Sequence, residues 1–132
     1  MIAIDSSAVV TIIAQESGFE AYVAAVELSD ARLLSAGNYL ECAMVLTRIT
    51  GRRLRLDNWI DHFKVEVVPV DHAQARLAAD AFARFGRGQH RARLNYGDCF
   101  AYALAASRNI PLLYKGSDFG LTDVASALVP PA

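Results

Sequence analysis

The sequence predicts a parallel α/β sandwich, and three observations carry that prediction. Four short apolar or β-branched runs, Ile2 to Ile4, Leu33 to Ala36, Val65 to Val70 and Leu112 to Tyr114, alternate with stretches of helical periodicity. The first three runs lead into residues suited to cap a helix: Asp5-Ser6-Ser7, Asn38 and Asp71. No repeat, linker or low-complexity tract interrupts the alternation over the 132 residues, a length typical of one domain around one core.

The elements follow in order. The strand Ile2 to Ile4 enters a helix from Ala8 to Ala14 that ends before Gly18. Phe19, Tyr22, Val23 and Val26 then recur at i, i+3, i+4 and i+7, the stripe of a second helix. After the second strand, Asn38 is read as the cap of a third helix. Its apolar residues, Leu40, Cys42, Ala43, Met44, Val45, Leu46 and Ile49, wrap most of its surface and predict deep burial before Gly51 stops it. Leu56, Trp59, Ile60 and Phe63 mark a fourth helix that precedes the valine-rich third strand. Asp71 caps a fifth, in which Ala78, Ala81, Phe82 and Phe85 share a face before Gly86 and Gly88 open a basic loop. Asn95-Tyr96-Gly97-Asp98 has the form of a capping box at the head of a sixth helix. Pro111 introduces the fourth strand, and Val124 to Leu128 is read as an added edge strand before Pro130 and Pro131.

Composition excludes several classes. With 54% hydrophobic and 20% charged residues the chain is too apolar for disorder, and no stretch nears the roughly eighteen uninterrupted apolar residues of a membrane span. A soluble protein with no membrane partner is expected. Met1 to Asp5 lacks the basic leader and cleavage site of a signal peptide, which points to the cytoplasm. Cys42 and Cys99 form no metal-binding spacing and are expected to be reduced there. Thirteen basic against fourteen acidic residues exclude a protein that coats nucleic acid by bulk charge. Eight of the basic residues nevertheless fall in two windows: Arg48, Arg52, Arg53 and Arg55, then Arg84, Arg87, Arg91 and Arg93. Each window suits either a solvated surface or a track of phosphates, and the second is our candidate for contact with a nucleic-acid backbone.

Ligands of open parallel sheets bind beyond the carboxyl ends of the strands. Asp5 directly follows the first strand, Asp118 lies shortly after the fourth, and Asp98 and Glu41 lie near the starts of two helices at the same edge. Each acid has an ordinary reading as a cap, a complement to a helix dipole or an Asx turn. Gathered together they would repel by about 4 kcal/mol per close pair at an intermediate dielectric unless a cation joins them. Oxygen donors of this kind suit Mg²⁺, which keeps several waters and takes few protein carboxylates.

The same residues carry a resemblance. Ile4-Asp5-Ser6-Ser7-Ala8, Tyr39-Leu40-Glu41, Asn95-Tyr96-Gly97-Asp98-Cys99 and Leu112-Leu113-Tyr114-Lys115-Gly116-Ser117-Asp118-Phe119, followed by Thr122-Asp123, resemble the PIN-domain ribonucleases and, within them, the VapC toxins of bacterial toxin-antitoxin systems. The resemblance spans essentially the whole chain. It implies a PIN-like three-layer sandwich, with a central parallel sheet of four to five short strands flanked by helices. It implies a catalytic set of Asp5, Glu41, Asp98 and Asp118, with Asp5 and Asp98 as metal ligands and Glu41 and Asp118 as further candidates. Ser6, Ser117 and Asp123 are candidates for supporting roles, Ser117 standing where relatives often have Asn or an acid. The implied activity is cleavage of RNA by water with Mg²⁺, for which Mn²⁺ can substitute, leaving a 5′-phosphate and a 3′-hydroxyl. The implied partners are RNA, a cognate VapB-like antitoxin and a second copy in a homodimer.

Other features fit less. His62, His72 and His90 share no metal or acid-base spacing, although His90 sits among arginines and is a candidate phosphate contact. Ser6 and Ser7 have no activating histidine and no GxSxG context. Val9, Val10, Ile12 and Ile13 give the first helix more apolar surface than one core stripe needs, which predicts a subunit or partner contact there. Two alternatives stay open: a catalytically silent PIN-like binding module, and a small phosphotransfer or phosphatase domain using Asp5 or Asp71 with Lys115.

Overall fold

The run Ile2–Ile4 forms β1, which is buried along its whole length and paired on both sides. The structure, a computed structural model, describes residues 1–50 and 54–128. From β1 the chain continues through α1 (Ser6–Ile13), α2 (Phe19–Leu28), β2 (Arg32–Ser35), α3 (Ala36–Thr50), α4 (Leu54–Phe63) and β3 (Glu66–Val68). It then forms α5 (His72–Phe85), α6 (Tyr96–Arg108), β4 (Leu112–Leu113) and a short 3-10 turn, Phe119–Leu121. The strands make one parallel sheet in the order β3-β2-β1-β4, with Ala3 opposite both Leu33 and Leu112. Side chains alternate across it. Ala3, Leu33, Val68 and Leu112 face a core shared with α5 and α6, while Ile2, Ile4, Leu34 and Leu113 face a second core shared with α1 to α4. This is the expected α/β sandwich of three layers with a four-stranded parallel sheet at its centre.

Several elements depart from the sequence reading. α3 begins at Ala36, because the Ser35 hydroxyl accepts the Gly37 N–H (3.3 Å) and takes the capping role. Asn38 therefore lies inside the helix, fully buried. β3 stops at Val68 because Pro69 has no N–H to extend an edge strand, and Val65 instead bonds back to Ile60 at the end of α4. Residues 124–128 contribute a single parallel bridge, Ser126 with Leu112, rather than a strand. Gly51, Arg52, Arg53, Pro130 and Pro131 lie outside the described residues.

The apolar surplus also falls elsewhere than expected. Val9, Ile12 and Ile13 of α1 are buried in this chain's own core, since α1 packs against α2, α3 and α4 together. α3, read as deeply buried, leaves Leu40, Met44 and Ile49 more than half exposed, and on α5 Phe82 is exposed while Ala78, Ala81 and Phe85 are buried. Among the described residues no helix is long and apolar enough to cross a membrane.

Candidate active site

The sheet order makes the site. After β1 the chain builds β2 and β3 on one side, then crosses to place β4 on the other, so the carboxyl ends of β1 and β4 flank a topological switch point where a crevice opens. Asp5 leaves β1 and caps α1: its Oδ2 accepts from the Ser7 N–H (3.0 Å) and the Ser7 hydroxyl (2.6 Å). The Ser7 hydroxyl accepts in turn from the Lys115 N–H (3.0 Å), which locks the segment after β4 onto the start of α1. The other carboxylate oxygen of Asp5, Oδ1, is buried and has no partner among the described residues. Burial is the main reason its pKa rises from 3.8 to about 7; the Ser7 bonds oppose the rise, and the charges of Asp98 and Glu41 add to it.

Glu41 is reached through α3. It accepts from the Ser6 hydroxyl and from Asn38 Nδ2 (3.4 Å), and the same Asn38 amide donates to Ser6 Oγ (3.1 Å) and to the Gly97 carbonyl (2.9 Å). Asn38 thus ties α1, α3 and the head of α6 into one corner. At Gly97 a Cβ would push the Glu41 carboxylate from its place, so the glycine lets that side chain lie against the head of α6. The predicted capping box forms as written: Asn95 Oδ1 accepts from the Asp98 N–H (2.9 Å) and Asp98 Oδ2 from the Asn95 N–H (3.0 Å). Burial raises the Asp98 pKa, and the charges of Glu41 and Asp118 raise it further. Asp118 is exposed at the head of the 3-10 turn, within electrostatic reach of Asp98.

Asp5, Ser6, Glu41, Asn95 and Asp98 line an open cavity of about 350 Å³ together with Ser7, Val10, Glu16, Val45 and Lys115. Among the described residues no three His, Cys, Asp or Glu side chains are gathered tightly enough to hold a metal ion. The donor set still fits an open Mg²⁺ site: hard oxygens, a buried Asp5 oxygen without a partner, and two carboxyls, Asp5 and Asp98, driven upward by burial and by neighbouring acids.

The remaining candidates lie elsewhere. The Asp123 carboxylate accepts from the Tyr102 hydroxyl and pairs with Arg84 (3.3 Å), which also stacks on Phe85. Ser117 is exposed, its carbonyl accepting from the Gly120 N–H. Arg87, Arg91 and Arg93 are exposed on the loop that leads into Asn95. His90 is held inside that loop, where its Nδ1 accepts the Ala92 N–H (3.0 Å) and its ring meets Phe85 edge-on. Both cysteines are free and buried.

Against known families, the model of the PIN domain matches residues 2–125. The chain belongs to the PIN-domain family. Within it the chain falls among the VapC proteins: it is 48% identical over 128 residues to a protein named ribonuclease VapC28 from Mycobacterium tuberculosis (strain ATCC 25618 / H37Rv), covering 95% of this chain and 96% of that one. Among solved structures, Mycobacterium tuberculosis VapC20, titled a sarcin-ricin loop cleaving toxin, superposes with a TM-score of 0.73 at 18% identity, covering 95% of this chain and 99% of that one. A toxin-antitoxin complex from Klebsiella pneumoniae superposes with a TM-score of 0.73 at 14% identity, covering 96% and 98%. At such identities the superpositions speak for the fold. Of the four acids that the sequence of this PIN domain places at one edge, Asp5, Glu41 and Asp98 line the cavity and Asp118 stands outside its lining, while Asn38, Gly97, Glu16 and the Ser7–Lys115 tie went unread. The clue available was the three-residue spacing from Asn38 to Glu41, which puts both on one helical face.

Proposed function

We propose that this protein is an endoribonuclease toxin that cleaves RNA by water attack with Mg²⁺ or Mn²⁺, acts in the cytoplasm as a single-domain homodimer, and is neutralised by a cognate antitoxin. The observation that carries the metal reading is the buried, unpartnered Oδ1 of Asp5 beside Asp98 and Glu41. The ribonuclease names of the VapC relatives support RNA as substrate, and the toxin-antitoxin complex of like fold supports the protein partner. Leu40, Met44 and Ile49, left exposed by α3, support both protein contacts.

Asp5 and Asp98 would hold the metal, with Glu41 in the same wall and Asp118 adding its charge from outside the lining. When bound, Mg²⁺ supplies positive charge against the phosphate and lowers the pKa of a coordinated water. The residues of the chain prepare the rest. Ser7 fixes the rotamer of Asp5 through two hydrogen bonds to Oδ2, which leaves Oδ1 buried and without a partner. Asn38 and Ser6 hold the Glu41 carboxylate over the head of α6, and the capping box fixes one oxygen of Asp98. Arg87, Arg91 and Arg93 offer the RNA backbone an approach along the loop that ends at Asn95. All four acids are present, whereas a silent binding module would be expected to have lost one.

The test is cleavage by partner-free protein. RNA should be cut with Mg²⁺ or Mn²⁺ and left intact in EDTA, and Asp98→Asn should abolish cutting while the circular dichroism spectrum stays native. Undiminished cleavage in EDTA would overturn the metal mechanism.

A further inference from the structure

The cavity at the switch point is lined by acids, hydroxyls, one amide and two valines, with a single cation among the described residues, Lys115. RNA brings negative charge to this crevice, and a carboxylate wall alone would repel it. A positive side chain already seated in the wall therefore calls for an explanation. Its backbone is fixed: the Lys115 N–H donates to Ser7 Oγ, and the Ser7 hydroxyl donates to Asp5, so the lysine Cα is held at two hydrogen bonds' remove from the Asp5 carboxylate. The next residue, Gly116, has φ +104°, a turn that carries the chain on toward Asp118.

The side chain, by contrast, is loosely held. Lys115 Nζ lies 3.6 Å from Glu16 Oε1, and both side chains are about two-fifths exposed (41% and 42%). Such a pair is weak in water. Glu16 Oε1 also lies 3.0 Å from the Thr11 hydroxyl, whose one proton it shares with the Ser7 carbonyl (2.8 Å), and this exposed carboxylate is hydrated when the ammonium leaves. An ammonium on a four-carbon stem, with three donors and no fixed plane, can turn from a carboxylate to a phosphate oxygen without moving the backbone.

We propose that Lys115 is a substrate-binding residue of this site: its ammonium rests on Glu16 in the free protein and transfers to a non-bridging phosphate oxygen of single-stranded RNA in the complex. This rests on the ribonuclease reading for its substrate class. It adds a specific contact beside the acids, separate from the arginines of the loop, and it gives Glu16 the role of a parking site.

The experiment is binding of a fluorescent single-stranded RNA in EDTA, measured by anisotropy across a range of KCl concentrations, so that no cleavage is needed. Lys115→Gln should weaken binding about 5-fold at low salt and reduce the log-log salt slope by about 0.7, one phosphate contact. Lys115→Arg should keep the slope. Glu16→Gln, which frees the ammonium, should bind about 2-fold more tightly, and all three variants should melt with the wild type. An unchanged slope in Lys115→Gln overturns the proposal, as does Glu16→Gln weakening binding in parallel with it, since the pair would then be only structural. Cleavage with Mg²⁺ is followed separately. A wild type that cuts nothing while Lys115→Gln still loses slope sinks the ribonuclease reading and leaves the phosphate contact standing. A wild type that cuts while the slope is unchanged does the reverse.

Discussion

Asn95 divides two surfaces built on opposite terms. Before it, residues 86–94 form an arginine-bearing loop whose backbone is satisfied from within. Arg87 N–H bonds to the Leu94 carbonyl, Leu94 N–H to Phe85, His90 N–H to Gly86 and Ala92 N–H to the His90 ring, while Ala92 and Leu94 plug the core. On its other side the acid crevice keeps a buried Asp5 oxygen unpartnered and the Asp5 and Asp98 carboxyls pushed above their ordinary range. The loop's charges are solvated and cost the fold little. Those of the crevice are desolvated and oppose folding until a cation arrives. Stability and chemistry should therefore trade against one another in the crevice and stay independent in the loop.

The largest expected contrast is at Asp5. Asp5→Asn should reduce cleavage by at least about 100-fold, since even second-sphere losses cost 10- to 100-fold. It should also raise the metal-free melting temperature at pH 8 by about 5 °C or more. Because burial lifts this carboxyl from 3.8 to about 7, the folded chain keeps a proton that the unfolded chain releases between those values. Metal-free stability should fall as pH rises from about 4 and reach its full penalty above about 7, and the mutant's advantage should vanish at the acid end. Thermal melts in EDTA across that range test this. A mutant that melts below wild type at pH 8 would make Asp5 a structural cap.

Gly97→Ala should come next. The new Cβ would displace the Glu41 carboxylate, costing about 1–3 kcal/mol of stability by overpacking and roughly 10- to 100-fold in cleavage. Here stability and activity fall together, which distinguishes loss of geometry from loss of charge. Calorimetry alongside initial rates would separate them.

The smallest effect belongs to the loop. Arg91→Gln with Arg93→Gln should lower the salt slope of RNA binding by about 1.4, two phosphate contacts, and weaken binding several-fold for all sequences alike. The melting temperature should stay within about 1 °C of wild type. A melting change as large as that at Asp5 would erase the contrast between the two surfaces.

What the sequence revealed follows the range of each interaction. The capping box of α6 closes within four residues, so Asn95 and Asp98 announced it. Asn38 looked like another cap because composition at a helix entry is all that a local reading sees. Its partners, Ser6 and Gly97, stand 32 and 59 residues away. The four strands were legible as apolar runs, but their ends were set by Pro69 and by backbone bonds that periodicity does not encode. Apolar content likewise did not say which helix would be covered: α1 is enclosed by three helices, whereas one face of α3 stays uncovered and leaves Leu40 and Met44 in the open. Asp123 stood in a motif, yet the Tyr102 hydroxyl and Arg84 claim it.

The position of β1 in the sheet carries a consequence for synthesis. It precedes the other strands of its sheet, yet its second neighbour, β4, follows about a hundred residues later, and the bond from Lys115 to Ser7 spans 108 positions. A nascent chain halted before Leu112 already contains Asp5, Glu41 and Asp98. It lacks the strand that seats β1 and the backbone donor that ties down Ser7, so the carboxylates have no crevice to share. Contacts so distant in sequence also slow folding. The acids therefore come to share one cleft only after translation has passed β4, so the site assembles late and in a single step rather than strand by strand.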